Sequence, residues 1–390
     1  MHSEWLEQKE QGKSSMVVCF DQSAAFDMLQ PELLCRKMKL MGGDDSSIKW
    51  FRSFLTGRRQ IVKVGGSLSA AKEVNVGSPQ GSLLSPLLFV LYTSDLGEWL
   101  QHCRPTAYAD DTTISLSGLD AREVQEAVEE DALNALCFMA SNGLVANPSK
   151  TSFLNINPNG RREEKLSISI RDILVPESEQ EKLLGMVISR DLKWASHIYG
   201  KGGLLSQLNQ ALYMVRRLAC HLHKARLKQV GESLWMSRVR YCLPLFYGQV
   251  RLLETDPESK MAKDLQVAQN KLLRVITGTN LSQRLPTAKL LEMTGMLSIN
   301  QLAAEMRLLE TWKALNIEGS PLAGLFCRVS AAAMETRASA REDLVEYGPS
   351  KSFRNLSSRL WNRAGQSVRE AKTLYRARKV VRDFVKTIPI

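Results

Sequence analysis

The chain has 390 residues, 44% of them hydrophobic and 24% charged, which allows two or three globular domains and excludes a disordered composition. Its net charge of +11 is uneven, with 31 Lys+Arg against 15 Asp+Glu from Ala195 onward but 21 against 26 before it. An acidic half joined to a basic half fits carboxylate chemistry beside a polyanion-binding surface.

The first fifteen residues are polar and charged and do not read as a secretory leader. Met16-Val17-Val18-Cys19-Phe20 then reads as a buried strand ending at Asp21. Pro31 opens a helix with Leu34, Met38 and Met41 on one face, and Gly42-Gly43 stops it. Ser46 or Ser47 caps a second helix through Leu55. Gln60–Val64 and Lys72–Val76 flank Gly65-Gly66-Ser67 and predict a hairpin. A helix follows from Ser82 to about Trp99. Its stretch Leu83–Leu96 is the best candidate for a membrane span, but Ser85, Pro86, Thr93, Ser94 and Asp95 make it a buried helix instead. Next comes a hairpin with Asp110 and Asp111 at its tip. Asp120-Ala121-Arg122-Glu123 has the form of a capping box, opening a helix that runs to Ser141 and ends at Asn142-Gly143. Thr151–Asn155, Lys165–Ile170 and Lys182–Ile188 predict strands. This alternation predicts an α+β fold, an antiparallel sheet covered by helices on one face.

From Trp194 the period becomes helical, at Leu204–Leu218, Lys260–Thr277, Ser298–Leu315 and Val368–Val385. Loops fall near 277–286, 318–321 and 347–352. The seven cysteines are scattered without a CxxC pair, which argues against a disulfide framework or zinc knuckle and for a reducing compartment. Cys220-His221-Leu222-His223 reads as a helix-end cluster, because adjacent ligands without a second pair make a poor metal site. An intracellular protein is expected, nuclear or cytoplasmic or both, and neither secreted nor membrane-spanning.

Chemistry concentrates in two acidic clusters, Phe20-Asp21-Gln22-Ser23-Ala24-Ala25-Phe26-Asp27 and Tyr108-Ala109-Asp110-Asp111. Carboxylates packed at the ends of core strands are costly unless something positive compensates them. Paired divalent cations are the usual compensation, and they perform phosphoryl transfer. With Gly77-Ser78-Pro79-Gln80-Gly81-Ser82-Leu83-Leu84-Ser85-Pro86 between them, the clusters resemble motifs A, B and C of reverse transcriptases. In flavour they are similar to the non-LTR, jockey-type retrotransposon branch.

The resemblance implies a right-hand polymerase palm followed by a mainly α-helical thumb and C-terminal region. The domains expected are an N-terminal stub at 1–14, a palm at 15–192, a thumb-like unit at 193–285 and a basic helical region at 286–390. The implied activity is RNA-directed DNA polymerisation, adding deoxynucleotides to a DNA primer on an RNA template. Asp21, Asp110 and Asp111 are then the catalytic carboxylates, holding two Mg²⁺ ions for which Mn²⁺ can substitute. Phe26 takes the place of the steric gate that selects deoxynucleotides. Gln80 contacts the nucleotide and template, and Lys150, in a motif D-like Asn147-Pro148-Ser149-Lys150-Thr151, approaches the triphosphate. Leu184 and Gly185, in Leu183-Leu184-Gly185-Met186, belong to the primer grip, motif E. Arg216, Arg217, Lys224, Arg226 and Lys228 are candidate thumb contacts to nucleic-acid phosphates. Eleven basic residues after position 350, against Glu370 and Asp383, add a further basic surface.

Gln22 and Ser85 are small departures from the family pattern. A larger one is that only 20 residues precede Asp21, where the family has a fingers domain clamping the triphosphate. The isolated chain is therefore expected to be weakly active or inactive. Two other readings compete: a non-catalytic nucleic-acid-binding remnant of such an element, and an RNA-copying polymerase of viral type, which Phe26 and Ala109 disfavour.

Overall fold

In the computed structural model, Ser14–Phe20 (β1) is an inner strand of a six-stranded sheet. The others are Arg104–Tyr108 (β2), Asp111–Gly118 (β3), Ser152–Ile156 (β4), Ser167–Ile170 (β5) and Ile173–Ser178 (β6), in the order β5-β6-β4-β1-β3-β2. Neighbours are antiparallel except β4 and β6, which run parallel. The structure describes residues 1–146, 151–158, 166–171, 173–328 and 343–390. Its contacts divide the chain into two units, Gln8–Lys193, and Trp194–Ile390 together with Met1–Glu7.

In the first unit, β1 alternates Met16, Val18 and Phe20 into one apolar cluster, the period of two that a strand imposes. The longer helices among the described residues of this unit are Pro31–Leu40 (α1), Asp45–Leu55 (α2), Ser85–Thr93 (α3) and Ala121–Ser141 (α4). α4 lies against β1, β3 and β5 and places Val128, Ala132, Ala135 and Phe138 in the same cluster. Burying each large apolar side chain contributes roughly 1.5–3 kcal/mol, so this layer fixes where β1 and β3 end.

One buried carboxylate anchors the entry to the β2–β3 hairpin. Asp131 of α4 is fully buried and accepts backbone N–H bonds from Gln101 (2.8 Å), His102 (2.8 Å) and Cys103 (2.6 Å). β2 begins at the next residue, Arg104. Burial opposes ionisation of Asp131, but these bonds and one from Asn134 outweigh it and hold the carboxyl below the usual range.

Local expectations fail where a side chain or special backbone intervenes. Asp44, not Ser46 or Ser47, caps α2, accepting from both of their backbone N–H groups. A carboxylate reaches two donors at once. Asp120 caps α4 through the Arg122 N–H at 2.8 Å. The helix expected from Ser82 starts at Ser85, because Gly81 turns with φ +82° and Ser82 Oγ accepts from Leu84 N–H. It breaks after Thr93, where buried Lys37 of α1 donates to the Tyr92 carbonyl (2.7 Å) and to Asp95 (2.6 Å). The sequence reading missed β6, whose Pro176 breaks the apolar pattern; Pro176 falls where β6 pairs with β5 alone. Lys182–Ile188 is not one strand but a hairpin of Gln180–Leu183 (β7) and Met186–Ser189 (β8).

The second unit is helical over Leu204–Leu218 (α5), Lys224–Gly231 (α6), Lys260–Thr277 (α7), Ile299–Asn316 (α8), Phe353–Arg363 (α9) and Leu374–Val385 (α10). α7 packs on α5, α6 and α8, and α8 packs on α9 and α10. A helix running unbroken from Val368 was expected. Instead the Ala371 carbonyl accepts from the Trp312 indole at 2.9 Å, and Thr373 caps a fresh start at Leu374. No helix among the described residues is long and apolar enough to cross a membrane. All seven cysteines are free thiols.

Asp131→Ala removes the acceptor of three backbone N–H groups, that of Cys103 buried, and should destabilise the protein by roughly 1–3 kcal/mol in denaturant titrations. A depressed carboxyl contributes stability that is fully present above its unfolded value, near 4, and is lost as pH falls through its lower folded value. The deficit of Asp131→Ala should therefore shrink as unfolding is measured at pH values falling below about 4. A deficit independent of pH would refute the carboxylate's role.

Candidate active site

Phe20 faces Thr112 across the β1–β3 ladder, so Asp21 leaves one strand beside Asp111, the first residue of the other. Tyr108 pairs with Asp111, and the two residues between them, Ala109 and Asp110, make the hairpin turn. The three predicted carboxylates thus share one end of adjacent inner strands. Asp111 senses both others: burial, then the charge of Asp110, then that of Asp21 hold its carboxyl above the usual range. Clustered negative charge of this kind favours a bound cation.

The donor chemistry suits a hard divalent ion, since every candidate ligand atom is a carboxylate oxygen. Among the described residues, no group of three or more His, Cys, Asp or Glu is placed to hold a metal ion by itself. Mg²⁺ does not require one, because it is commonly held by one or two carboxylates together with water and substrate phosphates.

The second part of the site joins the segment after Asp21 to the Pro79-Gln80-Gly81 turn. Phe26 lies in the short helix Ala25–Met28, half-buried, its ring centroid 5.0 Å from that of Phe89 on α3. Gly77 N–H donates to the Leu29 carbonyl (2.6 Å) and Ser78 N–H to that of Phe26 (2.9 Å). Gly77 is needed here: at φ +79°, an added Cβ would stand 2.8 Å from the Asp27 carbonyl oxygen. Beyond it, exposed Gln80 donates through Nε2 to both carboxylate oxygens of Asp27, at 3.0 and 3.1 Å. Arg58 braces the same turn by donating to the carbonyls of Val76 (2.8 Å) and Gly77 (2.6 Å). Both small departures from the family pattern act as cross-links. Gln22 donates to Thr112 Oγ1 of β3 at 3.0 Å, and Ser85 Oγ donates to the Pro79 carbonyl at 2.7 Å.

The Reverse transcriptase (RNA-dependent DNA polymerase) family profile matches residues 2–188. The chain is 24% identical to a probable RNA-directed DNA polymerase from transposon X-element of Drosophila melanogaster, over 58% of this chain and 24% of that protein. It is 28% identical to the RNA-directed DNA polymerase from mobile element jockey of Drosophila funebris, over 50% of this chain and 21% of the relative. The jockey polymerase of Drosophila melanogaster is 26% identical over 70% of this chain and 29% of its own length. The chain therefore spans about a quarter of the length of these relatives. Among solved structures, telomerase from Candida tropicalis aligns with 82% of this chain and 50% of its own, at TM-score 0.39 and 13% identity.

Within the matched residues, Leu184 and Gly185 form the two-residue turn of the β7–β8 hairpin, with φ +48° and +79°. Positive φ at both positions is the type I′ geometry that suits a twisted hairpin, and it ordinarily calls for Asn-Gly. Leu184 is strained there and 45% exposed, an apolar side chain held outward. Ala24 (φ +51°) and Ala109 (φ +53°) carry the same left-handed backbone beside Asp21 and Asp110. Such strain tends to collect at functional sites. Lys150 lies outside the described residues. Arg216 and Arg217 are exposed on the last turn of α5, and Lys224 and Arg226 are exposed on α6. Lys228 is half-buried and 4.0 Å from Glu232.

Sequence reasoning quoted Asp27 and Gly77 inside motifs but gave neither a role, and it missed Arg58. The local signal for Asp27 was its adjacency to Phe26. Nothing local announced that Gln80, 53 positions later, would bond to it.

Two outcomes test this geometry. Asp110→Asn removes a repelling charge beside Asp111. A carboxyl raised in the folded state loses stability as pH rises from the unfolded value, near 4, through the folded one. Thermal melts without metal should therefore show the variant more stable than the parent at neutral pH, with the gap closing below about pH 4. A constant gap would mean that the three carboxylates do not interact. Leu184→Asn should relieve left-handed strain and stabilise the protein by about 1 kcal/mol; a lower melting temperature would contradict the type I′ turn.

Proposed function

We propose that this chain is the polymerase portion of a non-LTR retrotransposon reverse transcriptase of the jockey type, copying an RNA template into DNA by adding deoxynucleotides to a primer 3′-hydroxyl. The observation that carries the reading is the convergence of Asp21, Asp110 and Asp111 at one end of β1 and β3, with the charges of Asp110 and Asp21 acting on Asp111. Asp21 and Asp110 would hold two Mg²⁺ ions, with Asp111 completing the carboxylate set. Bound there, such ions supply the charge that clamps the attacking and leaving oxygens of an in-line displacement.

The remaining roles belong to side chains of the chain itself. Phe26, its ring against Phe89, stands as a wall beneath the incoming sugar and excludes a 2′-hydroxyl. Gln80 is oriented by the Asp27 carboxylate toward the nucleotide and its template base. The Leu184-Gly185 tip supports the primer end, and Lys150 serves the triphosphate. Positioning of this kind is where most of the catalytic effect in phosphoryl transfer arises. Residues 15–192 act as the palm, and 193–285 act as a thumb whose Arg216, Arg217, Lys224, Arg226 and Lys228 meet duplex phosphates. These are sequence-independent contacts whose affinity falls with salt.

The test is extension of a DNA primer on an RNA template with deoxynucleotides and Mg²⁺. Asp110→Asn should lower the rate by about 10³-fold, the scale of removing one charge-stabilising group. Phe26→Val should admit ribonucleotides. Calorimetric titration of Mn²⁺ in the presence of primer–template reads the same carboxylates independently of turnover. Heat unchanged by Asp21→Asn and Asp110→Asn would overturn the reading in favour of a non-catalytic nucleic-acid-binding remnant.

A further inference from the structure

The helix α10 carries several exposed cations with no ion-paired acid among the described residues. Its inner face, Ala377, Val381 and Val385, is fully buried, and the helix packs on α8. Its outer face presents Lys379, Arg382 and Lys386 at helical spacing and is flanked by Arg376, and exposed Lys372 precedes the Thr373 cap. Tyr375 stands on the same face and is 81% exposed. Two acids touch this surface: exposed Asp383, one helical turn from both Lys379 and Lys386, and Glu305 of α8, 3.4 Å from Arg382. Among the described residues, no acidic group lies within ion-pair distance of Lys372, Arg376, Lys379 or Lys386. Some exposed bases elsewhere in this unit are matched, as in Lys289–Glu292, Lys313–Glu310 and Arg359–Glu346.

A row of unmatched cations on a rigid helix creates a local field that attracts a polyanion. From Tyr375 to Lys386 the face extends about 16 Å at 1.5 Å per residue, which spans several phosphates of one strand. A basic amphipathic helix can instead lie on an anionic membrane, but that mode inserts the apolar face, and here that face is already buried in the protein. The exposed aromatic ring adds a surface on which a base can stack.

We propose that the outer face of α10 is a second nucleic-acid-binding surface, separate from the α5 and α6 contacts, which grips the sugar-phosphate backbone through Lys372, Lys379 and Lys386 and stacks a base on Tyr375. It rests on the polymerase reading only in taking nucleic acid as the polyanion. The contact is independent of sequence.

The experiment uses the full chain and an RNA–DNA hybrid, with binding followed by fluorescence anisotropy from about 50 to 200 mM salt. Lys372→Gln, Lys379→Gln and Lys386→Gln combined should flatten the plot of log K against log salt by up to about three units and weaken binding at least tenfold at the middle of that range. Lys263→Gln, Lys289→Gln and Lys313→Gln combined remove the same charge from acid-paired positions and should leave the slope nearly unchanged. Tyr375→Ala should weaken binding of a single-stranded probe with no change in slope. Equal slope changes in the two triple variants, or none in either, would overturn the proposal. So would lysine-dependent binding to phosphatidylserine vesicles with hybrid binding unaffected. Melting curves of each variant confirm that it is folded. A slope change without Asp110-dependent primer extension keeps this surface and rejects the polymerase; extension with an unchanged slope does the reverse.

Discussion

β1 and β3 are paired so that Phe20 meets Thr112, and this pairing forces the residue leaving one strand to lie beside the residue entering the other. Both of those residues are aspartates, and a third occupies the turn between them and β2. A one-residue slip would move every side chain of β1 to the opposite face and take its carboxylate out of register with the hairpin. The buried set Met16, Val18 and Phe20 resists that slip, because each of these residues would lose its place in the cluster made with α4. The apolar core and the acidic cluster are thus two consequences of one register.

Keeping three carboxylates together works against folding, and the surrounding structure offsets that cost with specific anchors. Asp131 clamps the chain just before β2 by three backbone bonds, and Gln22 ties the residue after Asp21 to Thr112. The strained backbones at Ala24 and Ala109 are held between these anchors. The same trade appears at Leu184, where a leucine stands in a turn that asparagine would satisfy with less strain. Stability is spent at these three points on geometry.

The two units divide the work by charge. Residues before Ala195 carry a net acidic balance and contain the carboxylates, and those after it carry the basic surplus. On the helical unit the surplus appears on exposed faces whose opposite sides are packed, in α5 against α7 and in α10 against α8. A cation on such a helix is held at a fixed height and spacing, which suits a regular polyanion better than a mobile tail would.

The sequence by itself determined the strand at Met16–Phe20, the hairpin carrying Asp110 and Asp111, the long capped helix after Asp120, and the helical character of the second half. All of these are written in local periodicity and in residues that act within one turn of themselves. The three aspartates, Phe26 and Gln80 were legible for a different reason, since they occur in ordered motifs whose residue types are dictated by the chemistry. Only the tertiary structure decided that Gln80 bonds Asp27, that Gly77 is required by the Asp27 backbone, and that Lys37 bonds the Tyr92 carbonyl where α3 breaks. Each of these is a contact between residues 50 or more positions apart, and no window along the chain contains both partners. β6 was hidden because its single parallel pairing is made by Glu177 and Ser178, residues with no strand pattern of their own.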